Sequence, residues 1–205
     1  MSSGQDKSAD TTPRRRMPRE ERHRQLIETA WRIVRDKGTD ALSLGRLAQH
    51  AGVTKPVVYD HFGTRNGLLA ALYREFDVRQ TEIMDAALAT SDATLASRAS
   101  VIASSYVDCV LLSGREMPDV IAALAGSPEM GEIKRAYQSS FIDKCREILT
   151  PFASKGAIGR ATLWAMLGAA DSVSNAAASG EITAAEAKAE LYRTVVSMVA
   201  RGSES

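Results

Sequence analysis

At 205 residues the chain is long enough to bury a substantial core in one or two domains. Its 44% hydrophobic and 25% charged residues are those of a soluble globular protein, and two cysteines are too few for a disulfide framework. The net charge of +1 hides an asymmetry: residues 1–74 carry 14 Lys/Arg against 8 Asp/Glu, a balance of +6, whereas residues 75–205 carry 12 against 17, a balance of −5.

A basic amino-terminal part on a mildly acidic remainder suits nucleic-acid contact at one end; a merely solvated charged surface is the other reading. Cys109 and Cys145 fall within helical patterns and read as free thiols. No apolar run approaches the length of a membrane span, and no secretory leader pattern opens the chain, so a cytoplasmic protein with no membrane partner is expected.

Residues 1–18 lack apolar periodicity and end in the basic run TPRRRMPR, which reads as a disordered basic tail. Arg14, Arg15, Arg16 and Arg19 either reach DNA phosphates or serve only for solubility. Leu26, Ile27, Ala30, Ile33 and Val34 then recur at helical spacing, predicting a first helix over 19–37 stopped at Gly38. Ser43 caps a second helix opened by Leu44, Leu47 and Ala48, and Thr54 repeats that role for a third, with Pro56 in its first turn. Thr64 caps a fourth helix reaching about residue 89, whose inward face is read as Leu68, Leu72, Phe76 and Ile83. Further helical patterns cover 94–113, 119–125, 129–149, 158–179 and 183–201, broken at Pro118, Ser127-Pro128, Pro151, Gly156 and Gly180. The fold class is all-α.

The stretch Leu44 to Phe62, LGRLAQHAGVTKPVVYDHF, has the form of a helix-turn-helix. Gly52 allows the tight turn, and Val53 tucks between the helices. Thr54, Lys55, Pro56, Val57, Asp60 and His61 face outward, while Val58 and Phe62 return to the core. Lys55 can donate to a guanine edge or a phosphate, and Pro56 and Val57 can meet a thymine methyl. Tyr59, His61, Thr64 and Arg65 are placed to hold the DNA backbone, the last two at a helix start that attracts phosphate. Taken singly, Tyr59 reads equally as a half-buried core aromatic and His61 as a helix-terminal cation.

The joint order of glycine turn, cap, basic residue and Tyr-x-His-Phe closely resembles the TetR (tetracycline repressor) family of bacterial transcription regulators. Ala30, Gly38, Ser43, Leu47-Ala48, Ala51-Gly52-Val53-Thr54, Tyr59, His61-Phe62 and Leu68 carry the resemblance, over about residues 20–72. It departs at Asn66, where an acidic residue is frequent, and at Gly45, which leaves the second helix without a side chain at a position that often meets DNA. The resemblance implies a three-helix DNA-binding domain with the helix-turn-helix over 19–63, followed by a larger helical effector-binding and dimerisation domain over 64–205. It also implies operator contacts from the residues matching Lys55, Pro56, Val57, Tyr59 and His61.

In the remainder, 158–179 and 183–201 are rich in small residues that let helices approach closely, as in a bundle formed with a symmetry mate. Leu163, Met166, Ala170, Val173, Leu191, Val195 and Met198 are the candidates for the homodimer interface; the competing reading puts some of them in their own core. Candidates for an effector pocket are Tyr106, Cys109, Val110, Met117, Leu124, Tyr137, Phe141 and Trp164, with Asp108, Asp171 and Asn175 as polar groups that orient a ligand. Plain core is the alternative for the apolar ones, and a cross-dimer contact for Asp171.

An enzyme is the competing class. His23, His50 and His61 all lie in the expected DNA-binding domain but lack metal-site spacing, and no phosphate loop is present, so no catalytic residue, metal or cofactor is expected. The reading is a repressor that binds double-stranded operator DNA as a homodimer and is released by a small-molecule effector. The alternative is a DNA-binding activator or architectural protein whose large domain binds a protein partner.

Overall fold

The computed structural model describes residues 17–153 and 158–201; Arg14 to Arg16 and Gly156 lie outside them. Among the described residues there are helices and turns and no strand. Three helices form the head: α1 (Arg19–Lys37), α2 (Leu44–Ala51) and α3 (Lys55–Phe62). The larger part comprises α4 (Arg65–Thr90), α5 (Leu95–Glu116), α6 (Pro118–Leu124), α7 (Pro128–Leu149), α8 (Arg160–Ser179) and α9 (Ala184–Arg201).

Local signals fix most of these limits. Ser43 Oγ accepts from the Arg46 amide at 3.2 Å and Thr64 Oγ1 from the Gly67 amide at 2.9 Å, each satisfying a free amide of a first turn. Thr94 and Ser127 do the same for α5 and α7. Thr54 stands at the cap position of α3 but makes no such side-chain bond, which leaves its hydroxyl outward.

Two apolar clusters hold the molecule. One joins Leu26, Leu47, Val58 and Phe62 of the head to Leu68, Leu72 and Phe76 of α4, and also takes in Met117, Val120 and Leu124 from around α6. The head therefore closes its core against α4 and α6 and is not packed on its own three helices alone. The other cluster lies between α5, α8 and α9, with α4 and α7 against its side. Leu95–Gly114 of α5 has a mean hydropathy of 1.3, so by length and composition it would pass for a membrane span, contrary to the sequence-based expectation. It packs against α4, α7, α8 and α9 as the central helix of the large domain.

One expectation for α4 fails. Leu68, Leu72 and Phe76 are buried, but Ile83 is exposed and Met84 is the residue that turns inward. The first half of α4 packs on the head and the second on α5 and α7, so the buried face rotates along the helix.

Candidate nucleic-acid interface and ligand cavity

The turn between α2 and α3 needs a left-handed residue, and Gly52 supplies it with φ 66° and ψ 33°. Val53 is half-buried against the head core, and its amide donates to the Ala48 carbonyl at 3.0 Å. On α3, Val58 and Phe62 point inward. Thr54, Lys55, Pro56, Tyr59 and Asp60 are exposed and Val57 is half-exposed, so one face of the helix is free from its first turn onward. Tyr59 is 53% exposed, which decides against a core aromatic. The bare Gly45 faces Lys55: a Cβ there would sit 3.6 Å from Lys55 Cε, so the lysine stem lies across the space α2 leaves open.

Two expected backbone-holding residues have other work. The Arg65 guanidinium is turned inward, donating from Nε to the Leu42 carbonyl at 3.0 Å and from Nη2 to the Thr39 carbonyl at 2.9 Å. It ties the start of α4 to the loop before α2; the expectation that it is a free phosphate ligand is corrected. His61 packs beside His23 of α1, ring centres 5.6 Å apart, and near Phe62. Burial first, then the neighbouring His23 and Arg19, hold its pKa below the ordinary histidine value. Near neutral pH it is therefore an uncharged ring. Met17, Pro18, Arg19, Arg22, Val57, Asp60 and His61 line a shallow groove beside α3, and two of these are arginines. Thr64 remains exposed at the start of α4.

Sequence reasoning missed Gly67. A Cβ built there would overlap the Phe62 carbonyl oxygen, so glycine is what lets α4 begin directly against the end of α3. Its only sequence signal is its position three residues after the Thr64 cap.

In the large domain a cavity of about 140 Å³ opens between α4, α5, α7 and α8, lined by Tyr73, Asp77, Tyr106, Tyr137 and Asp171 among others. A smaller recess of about 40 Å³ adjoins it across Tyr106, Cys109 and Tyr137, and reaches Gln80, Phe141 and Lys144. Tyr106 Oη donates to Asp171 Oδ1 at 2.5 Å. Tyr106 and Phe141 rings lie 4.9 Å apart at a steep angle, and Tyr137 stacks on Phe141 at 6.0 Å. Burial pushes the Tyr73 phenol and the Cys109 thiol up to about 12, and Tyr106 and Tyr137 are raised by the same cause. These groups stay protonated at physiological pH. Burial likewise pushes the Asp77 carboxyl up to about 7. No group of three or more His, Cys, Asp or Glu suited to a metal occurs among the described residues.

Residues 26–72, the head and the first turns of α4, match the family model of bacterial regulatory proteins, tetR family. This amino-terminal part is a TetR-family DNA-binding domain by sequence. It is 38% identical over 87 residues to the HTH-type transcriptional activator FasR of Mycolicibacterium smegmatis, a match covering 42% of this chain and 40% of that one. It is 28% identical over 118 residues to the HTH-type transcriptional regulator BetI of Serratia proteamaculans, covering 57% of this chain and 60% of BetI. The chain thus spans between two fifths and three fifths of these curated relatives. A TetR-like transcriptional regulator from Rhodococcus sp. RHA1 has the same fold, with a TM-score of 0.57 and 21% identity over 90% of this chain and 99% of the other.

Of the pocket residues expected from sequence, Tyr106, Cys109, Val110, Tyr137, Phe141 and Asp171 line the cavity or its recess. Met117 and Leu124 do not; they are buried in the head's cluster. Trp164 is 41% exposed on the outer side of α8, and Asn175 is also exposed. Asp108 pairs with Lys188 of α9 at 2.7 Å on the surface. The fourth helix is expected to approach the pocket near Ile83 and Leu88; it does so instead through Tyr73, Asp77, Gln80 and Met84, which lie outside the predicted inward stripe.

The proposed dimer residues need a larger correction. Leu163, Met166, Ala170, Leu191, Val195 and Met198 are at most 2% exposed within one chain, and Val173 is half-buried against the same cluster. The six buried ones hold α8 and α9 to α5 and have no surface left to offer a second copy.

Proposed function

We propose that this chain is a ligand-responsive transcriptional regulator of the TetR family that binds operator DNA as a homodimer and is released from it by a small-molecule effector. The observation that carries the DNA half is the free face of α3, where Lys55, Pro56 and Tyr59 stand exposed on a helix anchored by Val58 and Phe62. Such a face presents donors and apolar surface to the major groove, with Thr64 and the Arg19 and Arg22 side chains beside it for phosphates. One short reading helix binds weakly, so two copies on a two-fold axis address a pseudo-palindromic site.

The outward sides of α8 and α9 are the proposed dimer face. Trp164, Ala165, Gly168 and Ser172 line it on α8, and Ala185, Ala189 and Ala200 on α9, all exposed in the single chain. Small residues permit close helix approach, and Trp164 supplies an anchor. The effector half rests on the cavity that α4 shares with α5, α7 and α8. Because α4 starts at Thr64 beside the reading helix and lines the cavity from Tyr73 to Met84, it is the lever through which a bound ligand alters the spacing of two heads. A ligand shifts that equilibrium only by preferring one spacing.

The experiment is titration of the purified chain against the duplex upstream of its own coding region, at low and moderate salt. Saturable binding at dimer stoichiometry, weakened steeply by salt, supports the reading. A folded protein that ignores this and other upstream duplexes refutes it.

A further inference from the structure

The cavity has a charge pattern that restricts what it accepts. Asp77 of α4 and Asp171 of α8 both line it. Asp171 has the Tyr106 hydroxyl as a partner, whereas no hydrogen bond or ion pair joins Asp77 to another described residue. The lysines nearby do not offset this. Lys144, in the recess, is bridged to Asp85 at 2.5 Å, and Lys134 of α7 is exposed at the cavity's edge. The remaining titratable groups facing Asp77 are Tyr73 on its own helix, Cys109 of α5 and Tyr137 of α7.

Around the two carboxyl groups stand the rings of Tyr73, Tyr106 and Tyr137. Their phenols are held protonated by burial, so they contribute π faces and neutral hydroxyls but no charge. A ring face attracts a cation, more so away from water. An anion would meet two acidic groups, and a neutral ligand would leave the half-buried Asp77 carboxylate without a counter-charge.

We infer that the effector is an organic monocation, an amine or quaternary ammonium on an aromatic or short aliphatic body, seated between Asp77 and Asp171 with the tyrosine rings around its charge. This rests on the ligand-responsive reading above and narrows it to one chemical class. Binding of such a cation favours the ionised form of Asp77, so affinity rises with pH through the region around 7 where that carboxyl loses its proton.

The test is calorimetric titration of the full chain at pH 8 with three probes of matched size: benzyltrimethylammonium, the neutral 4-phenylbutan-2-ol and the anionic 3-phenylpropanoate. The cation is expected to bind about tenfold or more tighter than either other probe, as a charge pair plus ring contacts would give. Asp77→Asn and Asp171→Asn should each lower cation affinity by about tenfold and leave the alcohol unchanged. Both replacements conserve side-chain size, and the probe series on the unaltered protein does not depend on either of them folding. Equal or tighter binding of the alcohol or the anion overturns the cation assignment while leaving a ligand-binding cavity in place. So does a cation affinity that neither substitution moves. If no probe binds, the assignment also falls. Ligand response itself is then judged separately, by whether plugging the cavity with Ser113→Phe alters operator affinity.

Discussion

Tyr59 of the head is 53% exposed on α3, whereas Tyr106 of the large domain is 3% exposed and hydrogen-bonded to Asp171. The same side chain serves two opposite constructions. The head packs its core fully and displays polar and aromatic groups outward on a rigid helix, which suits a large, regular partner. The large domain leaves its packing incomplete between α4 and α7, so polar and aromatic groups face inward on a small space, which suits a small partner. Substitutions on the display face should therefore change binding without changing stability. Those at the packed joints should do the reverse, and those in the cavity should do some of each.

The largest expected effect is on the display face. Lys55→Ala combined with Tyr59→Ala should reduce operator affinity by about a hundredfold or more, since individual groove contacts are worth about 1–3 kcal/mol each. The melting temperature should stay within a degree or two of the parent, because neither side chain is buried. Fluorescence anisotropy with labelled duplex and a thermal melt check the two halves; unchanged affinity would break the comparison.

Next is the joint at Gly67. Gly67→Ala should destabilise the protein by about 1–3 kcal/mol or more, because the new methyl meets a backbone carbonyl that no rotamer can move aside. Chemical denaturation measures this, and DNA binding should be lost in proportion to unfolding of the head.

Arg65 sharpens the distinction. Arg65→Gln removes charged donors from the Thr39 and Leu42 carbonyls and should cost about 1–3 kcal/mol. The slope of log affinity against log salt should be unchanged, since a residue not paired with phosphate releases no counterion. A slope smaller by about one unit would return Arg65 to the DNA interface.

The smallest effect is a pH dependence. Asp77 has a folded-state pKa of about 7, above the ordinary carboxylate value, so the native state holds its proton more tightly than the unfolded chain. Stability contributed by that proton is present at low pH and is lost as pH rises through the folded pKa. The parent's melting temperature should therefore fall between about pH 4 and pH 7 relative to Asp77→Asn, with the two converging below about pH 4. Melting curves of both proteins across that range give the answer.

Much of this molecule is legible in the chain because its signals are local. Gly38, Ser43, Gly52, Pro56 and Thr64 act through hydrogen bonds and φ angles within one turn of themselves, so the helix limits and the helix-turn-helix follow from their order. The exposed face of α3 follows too, since Val58 and Phe62 fix which side is inward.

Other features depend on what packs against what. At about 100° per residue, Leu68, Leu72, Phe76 and Ile83 share one sector of α4, whereas Tyr73, Asp77, Gln80 and Met84 share the next. Periodicity alone favours the first. Only the arrival of α5 and α7 on the second sector buries Met84 and makes a cavity wall of Asp77, leaving Ile83 in solvent. The same holds for α8 and α9, where large apolar residues looked suited to a partner but were taken by the chain's own α5. Arg65 was drawn inward by two carbonyls more than twenty residues before it. Propensity and capping are decided within a few residues, but which face of a helix is dry depends on neighbours distant in sequence, and those only the assembled fold supplies.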